Sequence, residues 1–334
     1  MYDLKPERTD SWEVGVTFKA FRGFSIDASY YDTNTYNQTF DSQLSVSSGY
    51  TKLYVQTGSV RNRGVEISAG YDHRWGAFRW SSNYILSANK NKVEKLMENY
   101  RHPETGQLIS LSRLKVGGFH NAAFVLTPGG TLGDLYTTVD LNRDVNGDIY
   151  IDEEGKISRS VTDYKKLGSV FPKANMSWSN DFSAKNFNFG FMISARLGGI
   201  VYSATQARMD SFGVSEASAA ARDCGGVEVE GCIVAPYEWY SVVGADDGIP
   251  QYYTYSATNV RLQEAHIGYD IPRKVLGGLF DLNVSVVGRN LWMIYCKAPF
   301  DPECIASAGN YYQGIDNFMM PSTRSVALSL RFKF

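Results

Sequence analysis

The 334-residue chain carries 33 Lys and Arg against 35 Asp and Glu, a net charge of -2, with no basic stripe, which leaves no electrostatic case for nucleic acid. No run approaches the ~20 apolar residues of a spanning helix, which excludes a helical membrane protein but not a membrane β-barrel, whose strands alternate apolar with polar residues. The 22 Tyr, 18 Phe, 6 Trp and 31 Gly suit many strands joined by polar turns.

In chain order, Trp12, Val14, Val16, Phe18 and Ala20 share one face of a first strand, because strand side chains alternate with period two. A turn at 21–23 leads to a second strand over 24–36. Beyond the polar stretch 37–58, a third strand over 60–71 has Val65, Ile67, Ala69 and Tyr71 in phase. The turn 73–76 opens a fourth over 77–89, with Phe78, Trp80, Tyr84 and Leu86. Residues 91–118 read as irregular, and two weaker strands, 119–126 and 132–141, flank Thr127-Pro128-Gly129-Gly130.

A strand over 172–182 precedes the cleanest apolar face of the chain, Phe187, Phe189, Phe191, Ile193, Ala195 and Leu197. The polar insertion 198–257 shows almost no helical period. Strands follow at 258–271 and 280–292, and a phase shift between Leu262 and Ala265 predicts a bulge. In the terminal strand, 321–334, Val326, Leu328, Leu330, Phe332 and Phe334 share one face, opposite Ser325, Ser329, Arg331 and Lys333. A lipid-facing strand ends naturally on an exposed aromatic, and a soluble one rarely does.

About eleven strands result, and their connections alternate in length. Joins at 21–23, 73–76, 127–131, 183–185 and 272–279 are short; those at 37–58, 91–118, 142–171, 198–257 and 294–320 are long. Short periplasmic turns and long outer loops mark outer-membrane barrels. The pattern predicts an all-β, transmembrane antiparallel β-barrel over 1–334. The competing reading is a soluble all-β glycan-binding or surface-interaction module, from which the loop sorting and the terminal Phe separate it.

The first residues contain no apolar h-region, so the chain is either cytosolic or a piece whose export signal lies upstream. Four cysteines form two sequence-local pairs, Cys224/Cys232 and Cys296/Cys304. Two local disulfides in an oxidising compartment or four unpaired thiols both remain open. Asn142, Asp144, Asn146, Asp148 and Glu153, with Gly147, follow the oxygen-ligand spacing of an EF-hand loop. They make calcium the one candidate cofactor, against the alternative of an Asx-rich loop without an ion. Tyr237, Trp239, Tyr240, Tyr252, Tyr253, Tyr255, Tyr311 and Tyr312 are candidates for stacking on a ligand, or else pack loop against loop. No HExxH, GxSxG, Walker loop or His/Cys cluster is present, and His73, His102, His120 and His266 are scattered, so nothing supports an enzyme.

An ordered series of short motifs runs along nearly the whole chain. It includes Leu4-Lys5-Pro6-Glu7, Asn62-x-Gly64-Val65-Glu66, Leu167-Gly168-Ser169, Val260-Arg261-Leu262-Gln263, Gly288-Arg289-Asn290-Leu291, Asp301-Pro302-Glu303 and Tyr312-Gln313-Gly314-Ile315-Asp316. In this order they resemble the C-terminal part of the SusC-like family of TonB-dependent outer-membrane transporters. The resemblance implies a barrel of about 22 strands with a plugged lumen, of which this chain would supply the second half. It also implies a SusD-like surface lipoprotein as partner, an oligosaccharide or peptide as substrate, outer-membrane lipid around the wall, and coupling to the TonB complex through an N-terminal part with no match here. The chain alone is accordingly expected not to seal a pore, because an open sheet edge leaves backbone groups unsatisfied in lipid.

Overall fold

The computed structural model describes residues 5–20, 23–43, 47, 49, 51–101, 106–309 and 312–334. Four long strands come first, β1 (Arg8–Lys19), β2 (Phe24–Gln43), β3 (Lys52–Trp75) and β4 (Phe78–Lys95). A two-residue ladder, β5 (Tyr100–Arg101) with β6 (Leu108–Ile109), precedes β7 (Leu114–Phe119), β8 (Ala122–Leu126), β9 (Asp134–Leu141) and β10 (Arg159–Ser169). Strands β11 (Ala174–Ala184), β12 (Phe187–Leu197) and β13 (Ile200–Ser203) lead to helices α1 (Ala204–Ser211) and α2 (Glu216–Asp223). A hairpin of β14 (Val227–Val229) and β15 (Cys232–Val234), helix α3 (Pro236–Val243) and β16 (Thr254–Ser256) follow. Then come β17 (Asn259–Ile271), β18 (Asp281–Cys296), β19 (Ile315–Asp316) and β20 (Ser325–Lys333).

Among the described residues, nine strands form one sheet in the order β1-β2-β3-β4-β11-β12-β17-β18-β20, antiparallel throughout. These are nine of the eleven expected strands. The two weaker ones belong instead to a second, four-stranded sheet, β10-β9-β8-β7. The turn between them is not periplasmic as expected. Val93 at the outer end of β4 donates its N–H to Gly130 O, and Gly129 N–H donates to Val93 O, both at 2.8 Å, so the turn lies at the extracellular end. Because the two strands leave the wall as a pair, the direction of every other strand is unchanged. The strand ends Lys19 and Phe24, Trp75 and Phe78, Ala184 and Phe187, and Ile271 and Asp281 gather at one end, and Gln43 and Lys52, Lys95 and Ala174, Leu197 and Asn259, and Cys296 and Ser325 at the other.

The bulge in β17 is present. Ile193 opposes Leu262 while Met192 opposes Glu264, leaving Gln263 as the extra residue. The insertion 198–257 departs from expectation, since it carries the three eight-residue helices. Helix α2 begins with a capping box, in which Ser215 Oγ accepts from Ser218 N and Ser218 Oγ accepts from Ser215 N. That arrangement satisfies two backbone groups that helix initiation would otherwise leave bare.

Register divides the wall into two chemically distinct faces, since directly opposed residues point the same way. One row runs Trp75, Phe78, Ala184, Phe187, Tyr269, Val284, Leu330; the row two residues further along runs His73, Trp80, Phe182, Phe189, Ile267, Val286, Leu328. Stacked and edge-on rings link these rows, as in Phe187 on Tyr269 (4.8 Å) and Trp80 on Phe182 (6.3 Å). Val326, Leu328, Leu330 and Phe332 lie on this face, and Phe334 just beyond β20 is 87% exposed. From Trp75 to Val65 the apolar positions of β3 rise roughly 33 Å along the strand, or about 25 Å along the normal at ~40° tilt, the height of a barrel's lipid-facing band. In a soluble protein these exposed aromatics would be a large unburied patch. The soluble-module reading therefore fails, and the apolar face is the lipid face.

The buried core lies elsewhere, in the extracellular connections. Phe40, Val60, Val93, Phe124, Leu126, Leu135, Val170, Trp239, Val243, Ile249 and Tyr253 are packed in one cluster drawn from the second sheet, the helices and the outer ends of β2–β4. The protein is thus a lipid-exposed wall carrying a packed extracellular cap.

Candidate functional site

The opposite face of the wall is the candidate conduit surface. Thr17 Oγ1 donates to Asp27 at 2.6 Å, Arg79 pairs with Asp72, Asn283 Nδ2 donates to Asp270 at 2.7 Å, and Arg289 Nε meets Glu264 at 2.9 Å. His266 Nε2 lies 3.7 Å from Asp181 Oδ1 across β12. Gly190 stands between them, and a Cβ there would run into the His266 ring and the Asp181 carboxylate. Each of these side chains falls on the polar phase of its strand, so alternation alone places both signs of charge along the inner wall. Such a surface is wettable along its length and offers hydrogen bonds to a polar solute.

The cap is fastened to this same inner face. Asn91 Oδ1 accepts from Leu132 N at 2.8 Å, and Arg196 donates to Val170 O at 2.9 Å. Arg261, 5% exposed, makes paired hydrogen bonds to Asp301 and approaches Glu303 at 3.3 Å, tying β17 to the connection 297–324. Burial alone would raise the Asp301 pKa, but hydrogen bonds from Arg261 and Ser322 hold it below the usual carboxylate range. Within the cap, Arg143 pairs with Glu230 through 2.7 and 3.0 Å hydrogen bonds, and Glu230 is held low by that guanidinium. Arg159 pairs with Asp247, and Asn121 Nδ2 donates to Asp247 O and Gly248 O at 2.6 and 2.9 Å.

The candidate ligand aromatics separate once their surroundings are known. Trp239 and Tyr253 are core residues, 5% and 3% exposed, and so are not available to a ligand. Tyr240, Tyr252 and Tyr255 pack against that core, with Trp239 edge-on to Tyr252 at 5.0 Å and Tyr255 to Phe300 at 5.7 Å. Tyr237 and Tyr312 keep exposed faces. Tyr311 and His102 lie outside the described residues.

The residues of the candidate calcium loop are held by hydrogen bonds within two tandem hairpins. Asp144 Oδ1 accepts backbone N–H groups from Asn146 at 2.8 Å and Asp148 at 3.0 Å, while Asn142 Nδ2 donates to Ser158 Oγ. Asp152 repeats the arrangement with Glu154 and Lys156, and Gly147 and Gly155 turn both hairpins with positive φ. Asp144 and Asp152 thus form two tandem Asx turns, and no group of three or more His, Cys, Asp or Glu among the described residues is placed to hold a metal.

The four cysteines are free. Cys224 caps α2 while Cys232 opposes Val229 in the β14–β15 hairpin. Cys296 Sγ donates to the carbonyls of Ala298 and Phe300, and burial pushes the Cys304 thiol up. Neither of the two local bridges is formed.

Comparison with known proteins agrees with this architecture. The family described as TonB dependent receptor-like, β-barrel, matches residues 2–291. TonB-dependent receptor P3 of Formosa agariphila is 23% identical over 99% of this chain and 34% of its own length; receptor P26 of the same organism is 26% identical over 99% and 35%. The chain thus spans about a third of the curated relatives it matches. Among solved structures, the RagAB peptide transporter aligns with TM-score 0.71 at 16% identity, over 98% of this chain and 35% of that one. The RagAB peptide importer in its closed-closed state aligns with TM-score 0.67 at 15% identity, over the same shares of the two chains. With its lipid face, polar inner face and loop sorting, the chain belongs to the TonB-dependent receptor-like β-barrel family of the outer membrane.

Proposed function

We propose that this chain forms part of the barrel of a SusC-like importer that takes up oligosaccharides or peptides with a SusD-like surface lipoprotein and draws its energy through TonB. The observation that carries this reading is the two-faced wall: an apolar surface sized to the bilayer on one side, and on the other a hydrogen-bonding surface of mixed charge beneath a packed extracellular cap. The unpaired outer edges of β1 and β20 are then closed by other strands of the full-length receptor, because lipid cannot satisfy an open edge. Both solute classes suit the inner wall, since its amides and hydroxyls serve sugars and its mixed charges serve peptide termini.

Uptake by intact cells tests the proposal. Labelled oligopeptides and oligosaccharides are offered to cells with and without the full receptor gene, before and after the proton-motive force is collapsed. Receptor-dependent, energy-dependent uptake of either class supports the reading. Uptake of both that is indifferent to the gene or to the uncoupler contradicts it.

A further inference from the structure

The outward face of the wall changes character abruptly above the apolar band. Val14, Tyr30, Val65 and Ala88 form its last apolar row on β1–β4. The next outward row is Trp12, Asp32, Arg63 and Lys90, and the one beyond it contains Asp10, Asn34, Arg61 and Lys92. Arg63 directly opposes Lys90, and Arg61 directly opposes Lys92. Like charges directly opposed across a strand pair repel and cost stability unless an anion neutralises them.

Two of the four cations have internal counterions. Both Asp32 oxygens accept from Arg61, at 2.8 and 2.5 Å, and Lys92 Nζ lies 2.7 Å from Glu94. Arg63 and Lys90 make no ion pair among the described residues, although Arg63 stands opposite Asp32. Trp12 shares their row and stacks obliquely on Tyr30 at 5.3 Å, the position an aromatic takes at a membrane interface. At the same height the inner face is occupied, for Asn91 and Val93 hold the cap. Arg63 and Lys90 therefore face outward, at headgroup depth, continuous with the lipid-facing band, and Asp32, the carboxylate acting on Arg63, gives both its oxygens to Arg61.

We infer that Arg63 and Lys90 form a binding site for the phosphate of an anionic lipid headgroup in the outer leaflet. Arg63 offers a planar fork of donors and Lys90 a mobile point charge, so one phosphate bridging them would relieve the cross-strand repulsion and anchor the wall's height in the bilayer. Asp32 keeps Arg61 turned away from that phosphate and sets the upper limit of the site.

Native mass spectrometry of the full-length receptor in neutral detergent, titrated with lipid A and, separately, with phosphatidylcholine, tests this. The receptor should retain lipid A in preference to phosphatidylcholine. The Arg63→Gln/Lys90→Gln double variant should bind lipid A about thirtyfold more weakly, the combined effect of two near-surface cations. Arg63→Lys should keep most of the binding, and Lys156→Ala, in the extracellular hairpin, all of it. Heat-modifiable migration confirms that each variant folds. Equal retention of the two lipids, undiminished lipid A binding by the folded double variant, or full displacement by millimolar inorganic phosphate would each overturn the inference.

Discussion

Arg261 and Asp301 are joined by two parallel hydrogen bonds, Nη2 to Oδ1 at 2.8 Å and Nη1 to Oδ2 at 3.1 Å, between a wall strand and an extracellular connection 40 residues later. The fork is further fixed by Asn259 Oδ1, which accepts from Arg261 Nε and Nη2 at 3.3 Å. Two sequence motifs far apart in the chain, Val260-Arg261-Leu262-Gln263 and Asp301-Pro302-Glu303, thus have one physical purpose. They clamp the 297–324 connection to the inner rim.

Removing one partner of this buried pair strands the other, so Arg261→Ala should cost about 3–5 kcal/mol locally. The expected outcome is protease cleavage within 305–320 on intact cells, where the wild-type connection resists. An apolar double replacement, Arg261→Met/Asp301→Leu, should restore much of the resistance, because no lone charge is left buried.

Acid should open the same clamp. The folded pKa of Asp301 lies below its unfolded value, near the ordinary ~3.9 of a free carboxyl. Its stabilisation is therefore fully present above that unfolded value and is lost as pH falls through the folded one. Hydrogen exchange of 297–309 should be flat from neutral pH to about 5, after correction for intrinsic rates, and rise below about 4. In Asp301→Asn the acid-dependent component should be absent.

Wall and cap should respond independently to core mutations. Phe124, fully buried, belongs to the cap alone, and Phe124→Ala should cost about 3–5 kcal/mol there. Protease sensitivity of the extracellular connections should rise while the wall keeps its heat-modifiable migration. Trp239→Ala should act likewise, whereas Tyr237→Ala, at an exposed position, should change stability by less than about 0.5 kcal/mol.

The tandem hairpins 142–158 should ignore calcium. Asp144 spends its Oδ1 on backbone N–H groups, so neither added calcium nor chelator should shift thermal unfolding or proteolysis of the cap. Asp144→Ala should loosen the first hairpin in either condition by about 1 kcal/mol, the worth of such a turn's hydrogen bonds.

The wall was legible in the sequence because each strand has one apolar phase: Phe187 to Leu197 and Val326 to Phe332 emerge on the lipid face as their alternation implies. The β17 bulge was legible for the same reason, since one extra residue reverses the phase after Leu262. The cap was harder to read. The fully buried β8 has no polar phase, so it resembles a wall strand, and its short turn at Gly129-Gly130 resembles a periplasmic one. Helix α2 left a signal in Ser215, the capping Ser218 and the run Ala219-Ala220-Ala221, which a search for period two passes over. Trp239 and Tyr253 looked like ligand aromatics because burial depends on partners distant in sequence. The Arg63–Lys90 pair needed the register of β3 and β4, which no local pattern supplies.

Alternate residues of the nine-stranded sheet face lipid and lumen. Single cysteines carrying a bimane label at 326, 327, 328, 329 and 330, and at 265 to 268, in a full-length receptor whose four cysteines in this region are replaced by serine, test it in vesicles of brominated lipid. Quenching should alternate, strong at 326, 328, 330, 265 and 267 and weak at 327, 329, 266 and 268. Uniform quenching along both strands, or none at any site, would contradict this alternation.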